Sequence, residues 1–548
     1  MRARISALLL LITSLSAAAV VRPAATSPRF FSDDPIARDP ETQDASRVQP
    51  WDLNDQYDFV ENTFFKPHDK VAVRAVNTNT IDEVPDSSWF TNRLGPNRLS
   101  TEEIIRGPLQ PNGGPADGPW TIVAGKSEGI TPGLTIRDSA GTLYFLKFDP
   151  PRHPEMASGA EAISTRFFHA LGYHVPENYI AVLRPEKLQI DPKARLRGPD
   201  GNMHPFKPDD IEALLERAAK RPDGGYRVIA SKGLSGKPLG PFRYWGTRPD
   251  DPNDIFPHEH RRELRGLRVS SAWLNHDDSR AINTGDFLQE RDGRAIVWHY
   301  LIDFGSTLGS GSTQAQKPRA GNEYIWEARP TFVTMLTLGF YVRPWLKVKY
   351  PEMPSVGRIE ADFFQPERWK PEYPNPAFDN LRADDAFWAA RRLLEFSDES
   401  VRAVVAAAEY SGPAAAEYVT EVLILRRKKV ADLWLNGVLP IVDLALSADG
   451  TLSFRNLAID SGLTTGPANY RIRWFRFDNA TGESRPVSDE RHTSDLTAKG
   501  PADALKNDYV LVEIRGDHPT YSGWSTPLRA YFRRADGWKL VGLERQPE

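Results

Sequence analysis

The chain has 548 residues, with 69 Lys plus Arg against 73 Asp plus Glu and a formal net charge of −4. That length allows two or three units with full-size cores, and the near balance of charge argues against a dedicated nucleic-acid binder. There is no cysteine, which excludes disulfide staples, thiolate metal sites and a lipoprotein anchor.

The N-terminus reads MRARISALLLLITSLSAAAVV: two arginines, an apolar run, and an A-x-A at Ala17 to Ala19. This is the layout of a secretory signal peptide over residues 1–25, so an exported, periplasmic or extracellular protein is expected. An uncleaved N-terminal anchor is the alternative, because the apolar run reaches Val21 and approaches spanning length. No later segment is apolar for long enough to cross a bilayer. Residues 26–119, rich in Pro, Asp and Arg with little periodicity, read as an extended lead-in wrapping the next domain. Trp89 and Phe90 within it read as packing residues.

From residue 120 the texture becomes β-like, with WTIVAG, GLTIRD and TLYFLKF as strands broken by glycine-rich turns. In GAEAISTRFFHALG, Ala162, Ile163, Phe167 and Leu171 recur at helical spacing, Gly172 ends the helix, and Pro176 leads into the strand YIAVL. A β-rich lobe over 120–190 is the expectation. Residues 191–436 are expected as a helical lobe, with one strand at YRVIAS and a helix at HRRELRGLRVSSAWLN. A hairpin then pairs DFLQE with AIVWHYLIDF across RDGR, and three helices follow, one capped by Ser397. His258 and His260 have the spacing of a metal pair but no evident third ligand, so a solvated loop is expected there. His299 reads as a core residue and LRRKK as the solvated end of a helix. Residues 437–548 change to alternating strands with Asp-Gly turns, as in a small immunoglobulin- or fibronectin-like sandwich suited to docking a protein partner.

Function concentrates between the helix and the end of the hairpin, in WLNHDDSRAINTG and WHYLIDFGSTLGS. His276, Asp278 and Asn283 make the pattern H-x-D-x-x-x-x-N, and the hairpin ends in Asp303-Phe304-Gly305. Upstream, Lys147 sits in an apolar strand, where an ammonium needs an anionic partner, and Glu161 in the following helix can supply it. Gly125, Gly129 and Gly133 mark the turn between the first two strands.

In this order the motifs resemble the protein-kinase-like superfamily over about residues 120–435. The resemblance implies an α+β chain: a two-lobed protein-kinase-like fold followed by the small all-β sandwich. It implies a phosphotransferase that uses ATP or another nucleotide with Mg²⁺ or Mn²⁺ and acts on a hydroxyl acceptor. Lys147 would hold the α/β-phosphates, Glu161 would position Lys147, and the three glycines would cover the phosphates. Asp278 would be the base, with Asp277 as the alternative; Arg280 would steady the transferred phosphate, and Asn283 and Asp303 would hold the metal. The glycines are not spaced G-x-G-x-x-G, Asp277 replaces the Arg of H-R-D, and no A-P-E follows. These departures point to divergent members in the style of HipA-like, CotH-like and secretory-pathway kinases, and leave open adenylyl transfer and pseudokinase-type binding. The charge gathered at Asp303 is expected to need a cation to offset it.

Overall fold

A computed structural model describes residues 28–66, 73–95, 99–126, 132–198, 200–311, 313–464 and 469–546. The expected signal peptide and Gly129 lie outside the described residues. Among its described residues the lead-in is mostly irregular, with α1 (Asp55–Val60) running into a π-helical turn (Glu61–Phe65) and a further short helix, α2 (Thr101–Arg106).

Period-two alternation makes the first strands two-faced. β1 (Trp120–Gly125), β2 (Gly133–Arg137), β3 (Leu143–Phe148), β4 (Asn178–Leu183), β5 (Leu188–Arg197), β6 (Met203–Pro205) and β7 (Tyr226–Lys232) form one sheet in the order β4-β7-β3-β2-β1-β5-β6. On one face Ile122, Leu134, Ile136, Leu146 and Val228 are buried with Phe206, and Leu214 of α4 (Pro208–Leu215) packs over them. On the other face Lys147 lies in register between Gly133 of β2 and Ile229 of β7, against α3 (Met156–Leu171). The sheet therefore does not stop at residue 190: β7 returns and inserts between β4 and β3. Local alternation identifies a strand but not its neighbours, so the expected boundary falls short of the real one.

The helical part is built on α5 (Arg262–Leu274), which leads directly into the motif loop. β8 (Lys237–Gly240), β9 (Thr284–Arg291) and β10 (Arg294–Leu301) form a small sheet, and the β9–β10 turn is Asp292-Gly293, both at positive φ (49° and 76°). That conformation suits the twist of a two-residue hairpin. The short strands β11 (Ser310–Gly311) and β12 (Gln314–Ala315) follow, then α6 (Ala328–Leu336), α7 (Pro376–Asp379), α8 (Ala383–Leu393), α9 (Asp398–Ala406) and α10 (Pro413–Leu435). Ser397 caps α9 by accepting from the Ser400 amide. Leu267, Trp273, Phe387, Val404 and Leu423 join Phe167 of α3 in one continuous core.

Two readings of charged segments are corrected here. His258 and His260 are buried, not solvated: the His258 ring bonds Asp254 at 2.7 Å, and Arg265 reaches the His260 ring at 2.7 Å. LRRKK lies inside α10 rather than at its end, and Arg426 is buried, donating to the Trp273 carbonyl at 2.8 Å and lying over the Phe364 ring. A charged run reads as solvated only when nothing packs on it; carbonyls from distant segments accept from Arg426 and Lys429, while Lys428 stays exposed.

The last region is all β. A three-stranded sheet of β13 (Ile441–Leu446), β14 (Thr451–Asn456) and β18 (Thr497–Lys499) faces a larger one. The larger contains β15 (Asn469–Phe477), β16 (Ser484–Pro486), β17 (Arg491–Thr493), β19 (Tyr509–Asp517), β20 (Leu528–Arg534) and β21 (Trp538–Arg545). Leu452, Phe454, Ile472, Trp474, Val512 and Phe532 form its own core. The lead-in wraps this region as well as the lobes, because Phe30 is buried against Phe477, Leu511, Tyr531 and Val541 of the larger sheet. The chain is thus α+β, with a seven-stranded sheet, several helices and a β-rich C-terminal region. No helix among the described residues is long and apolar enough to cross a membrane.

Candidate active site

Lys147 Nζ bridges two carboxylates, Glu161 Oε2 at 3.0 Å and Asp303 Oδ1 at 2.7 Å. Three separate elements supply this triad: β3, the buried face of α3, and the turn after β10. Glu161 is 1% exposed and also accepts from the Phe304 amide and Asn178, both at 3.2 Å. Gly305 leaves room for it, since a Cβ there would stand 3.1 Å from Glu161 Oε2. Asp303 has φ of 60°, a left-handed conformation unusual for a residue with a side chain, and such strain gathers at functional sites.

The electrostatics follow from this bridge. Burial works against the Lys147 ammonium, but Asp303 and Glu161 outweigh it and raise Lys147 above its ordinary range. Burial also opposes the Asp303 charge, and Lys147 overcomes it, holding that carboxylate below its usual range. Burial pushes Glu161 upward, with Asp303 adding to the push and Lys147 opposing it. The cation that offsets Asp303 in this structure belongs to the chain itself: it is the Lys147 ammonium.

Asp278, Arg280 and Asn283 lie on the loop that α5 feeds, whose end is the left-handed Asn275. Asn283 Nδ2 donates to the Asp278 carbonyl at 2.8 Å, closing the loop, and the Asn283 carbonyl accepts from the Ile302 amide at 3.0 Å, tying it to the segment that carries Asp303. Arg280 pairs with Asp278, with Asp55 of α1 at 2.8 Å and with Glu372 at 3.5 Å. Burial, then Glu372 and Asp303 against the opposing Arg280, push Asp278 up to about 6. Asp277 is 5% exposed and points into protein, where Gln316 donates to it; burial, Asp278 and Glu372 push it up to about 8. Burial drives His276 down to about 4. Of the adjacent pair, the Asp278 carboxyl is displaced less from the ordinary carboxylate range.

The glycines divide. Gly133 stands opposite Lys147, and a Cβ on it would lie 2.5 Å from the Leu146 carbonyl, so the two strands approach only because it is glycine. Gly125 is corrected: its missing side chain is filled by Leu196 and Phe206 on the core face, away from Lys147. A small cavity of about 20 Å³ beside the triad is lined by Lys147, Glu161, Ile229, Asp303 and Gly305. A larger one, of about 360 Å³, lies at the far end of α3 among Arg93, His169, Lys232 and Trp298 and touches none of the motif residues. The motif residues Lys147, Glu161 and Asp303 line the smaller one. Asp55, Glu372 and Gln316 are not legible in the sequence, since each is brought in from a distant, motif-free segment.

Among the described residues no three His, Asp or Glu side chains gather into a metal cage. The Asp303 side chain is 41% exposed, and Asn283 Oδ1 accepts no hydrogen bond among the described residues. Two oxygen donors fit a hard divalent cation that takes its other ligands from phosphates and water.

Comparison with protein-family models and with curated proteins gives no match. Among solved structures, the chain is similar to the crystal structure of a Helicobacter pylori proinflammatory kinase, CtkA, at 13% identity and a TM-score of 0.30, over 56% of this chain and 92% of that one. At that score the likeness adds no weight to the geometry.

Proposed function

We propose that this chain is an exported protein-kinase-like phosphotransferase that moves phosphate from ATP or another nucleotide to a hydroxyl acceptor. The observation that carries the reading is the Lys147–Glu161–Asp303 bridge beside the Asp278–Asn283 loop. Lys147, positioned by Glu161, would bind nucleotide phosphates once it exchanges Asp303 for them. Asp278 would take the proton as the acceptor oxygen bonds to the terminal phosphorus and the bond to the departing nucleoside diphosphate breaks. Arg280 would steady the transferred group. Asn283 and Asp303 are the residues that would hold Mg²⁺ or Mn²⁺, which supplies neutralisation of phosphate charge when bound.

A binding or scaffold role, with the C-terminal sandwich docking a protein, is favoured by one feature: Arg280 pairs with the Asp278 carboxylate. Label transfer separates the readings. The chain is incubated with γ-labelled ATP, Mg²⁺ or Mn²⁺ and a panel of hydroxyl acceptors, beside thermal shifts with each nucleotide. Labelled acceptor supports the enzyme; a thermal shift without transfer supports the binding role; neither effect with any nucleotide removes the proposal.

A further inference from the structure

A dense run of exposed large apolar residues follows the motif segment in the chain. Phe332, Met335, Leu336, Leu338, Phe340 and Leu346 are all more than half exposed, with Leu338 at 87% and Phe340 at 86%. They lie on α6 and the chain just after it. A water-soluble surface rarely leaves so many large apolar tips together without a partner. The segment is not loose: Glu323 pairs with Arg343 at 2.7 Å and accepts from the Trp345 indole at 3.2 Å, while Lys370 pairs with Glu327.

Charge decides what kind of partner fits. Between Glu327 and Glu352 there is no acid, but there are Arg329, Arg343, Lys347 and Lys349. Glu323 neutralises Arg343, whereas Arg329, Lys347 and Lys349 are exposed and have no acid within 4.0 Å among the described residues. Glu360, Asp362 and Glu421 share a groove with the two lysines without pairing to them. Trp326, Tyr341 and Trp345 add rings with one apolar and one polar end. Exposed apolar tips, free cations and amphipathic rings suit an anionic membrane surface, whereas protein interfaces are depleted in lysine.

We propose that residues 325–349 dock the chain on an anionic lipid surface, with the apolar tips in the headgroup–acyl boundary and the lysines at phosphate level. Docking there brings the loop that carries Arg280 close to the docked segment, because the Ile325 amide donates to the Glu372 carbonyl at 2.8 Å and Glu372 pairs with Arg280. The Phe64 ring of the lead-in meets Trp326 at 4.9 Å and extends the same surface. The proposal is independent of the phosphotransfer reading.

Co-sedimentation of the full chain with vesicles tests it, using phosphatidylcholine alone and phosphatidylcholine mixed with phosphatidylglycerol. The chain is expected to pellet with the mixed vesicles only. L338S/F340S and K347E/K349E should each lower the affinity at least ~10-fold with unchanged circular dichroism. Because the apolar N-terminal run could also reach lipid, undiminished pelleting of L338S/F340S overturns the proposal. So does binding to neither vesicle, or equal binding to both. If the serine variant misfolds, the charge-reversal pair decides alone, and its undiminished binding overturns the proposal equally.

Discussion

Asp277 and Asp278 are neighbours in different surroundings, and pH separates them. Asp278 can accept a proton only when ionised, so with its carboxyl near 6, kcat/KM should rise with pH through about 6 and level off above it. Asp278→Asn should lose that limb and at least ~10²-fold in turnover while keeping nucleotide affinity; an unchanged profile in the variant would assign the base elsewhere. Asp277 acts on stability instead. Its folded pKa, about 8, lies above the ordinary 3.8, so between those values the folded chain holds a proton that the unfolded chain has released. Stability contributed by that proton falls as pH rises from 4 toward 8. Asp277→Asn should flatten that part of the curve of urea midpoint against pH; a parallel curve would show that Asp277 is not protonated in the fold.

The elements meet through buried charge. Removing Lys147 as Lys147→Met leaves Glu161 inside the protein without its cation, a loss of about 3 kcal/mol or more for a broken buried pair. Asp303→Asn should cost far less, since Asp303 is partly exposed and Lys147 keeps Glu161. Equal losses in urea unfolding would contradict the bridge. A second junction sits at the start of α5. There Arg262, fully buried, contacts Asp82 of the lead-in at 2.7 Å and Asp384 and Asp385 of α8 at 3.2 and 2.9 Å. Arg262→Ala removes the cation that three buried carboxylates share, leaving Asp82 to Arg74, Asp384 to Arg382 and Asp385 to Arg265, and a loss of about 3 kcal/mol is expected in the same assay. A change under ~1 kcal/mol would mean that water reaches them.

At the scale of the molecule, the lead-in ties the parts together. Phe30 caps the outer face of the C-terminal sheet, the Leu543 amide donates to Thr80 at 2.8 Å, and Arg545 lies over the Phe387 ring of α8. Phe30→Ala should therefore destabilise by about 3 kcal/mol, read by thermal or urea unfolding. Residues 437–548 expressed alone should give a β-type circular dichroism spectrum from their own core, with a lower melting temperature than the same region in the full chain. A helical spectrum would contradict the boundary.

What was legible in the sequence was local. Period-two strands, the amphipathic α3 and α5, the Asp-Gly hairpin and the spacing of Asp278, Asn283 and Asp303 depend on neighbours a few residues away, so each could be read from the chain alone. Lys147 and Glu161 were legible for a related reason: an ammonium in an apolar strand demands an anion, and one stood in the next helix. Only the tertiary structure decided the rest. It inserted β7 between β4 and β3, turned Gly125 to the core, buried His258 and Arg426, placed the Lys147 ammonium beside Asp303, and drew Asp55 and Glu372 around Arg280. Each of these depends on which distant surface packs against a residue, and burial, the quantity that sets the cost of a charge, is not a property of a short stretch of chain.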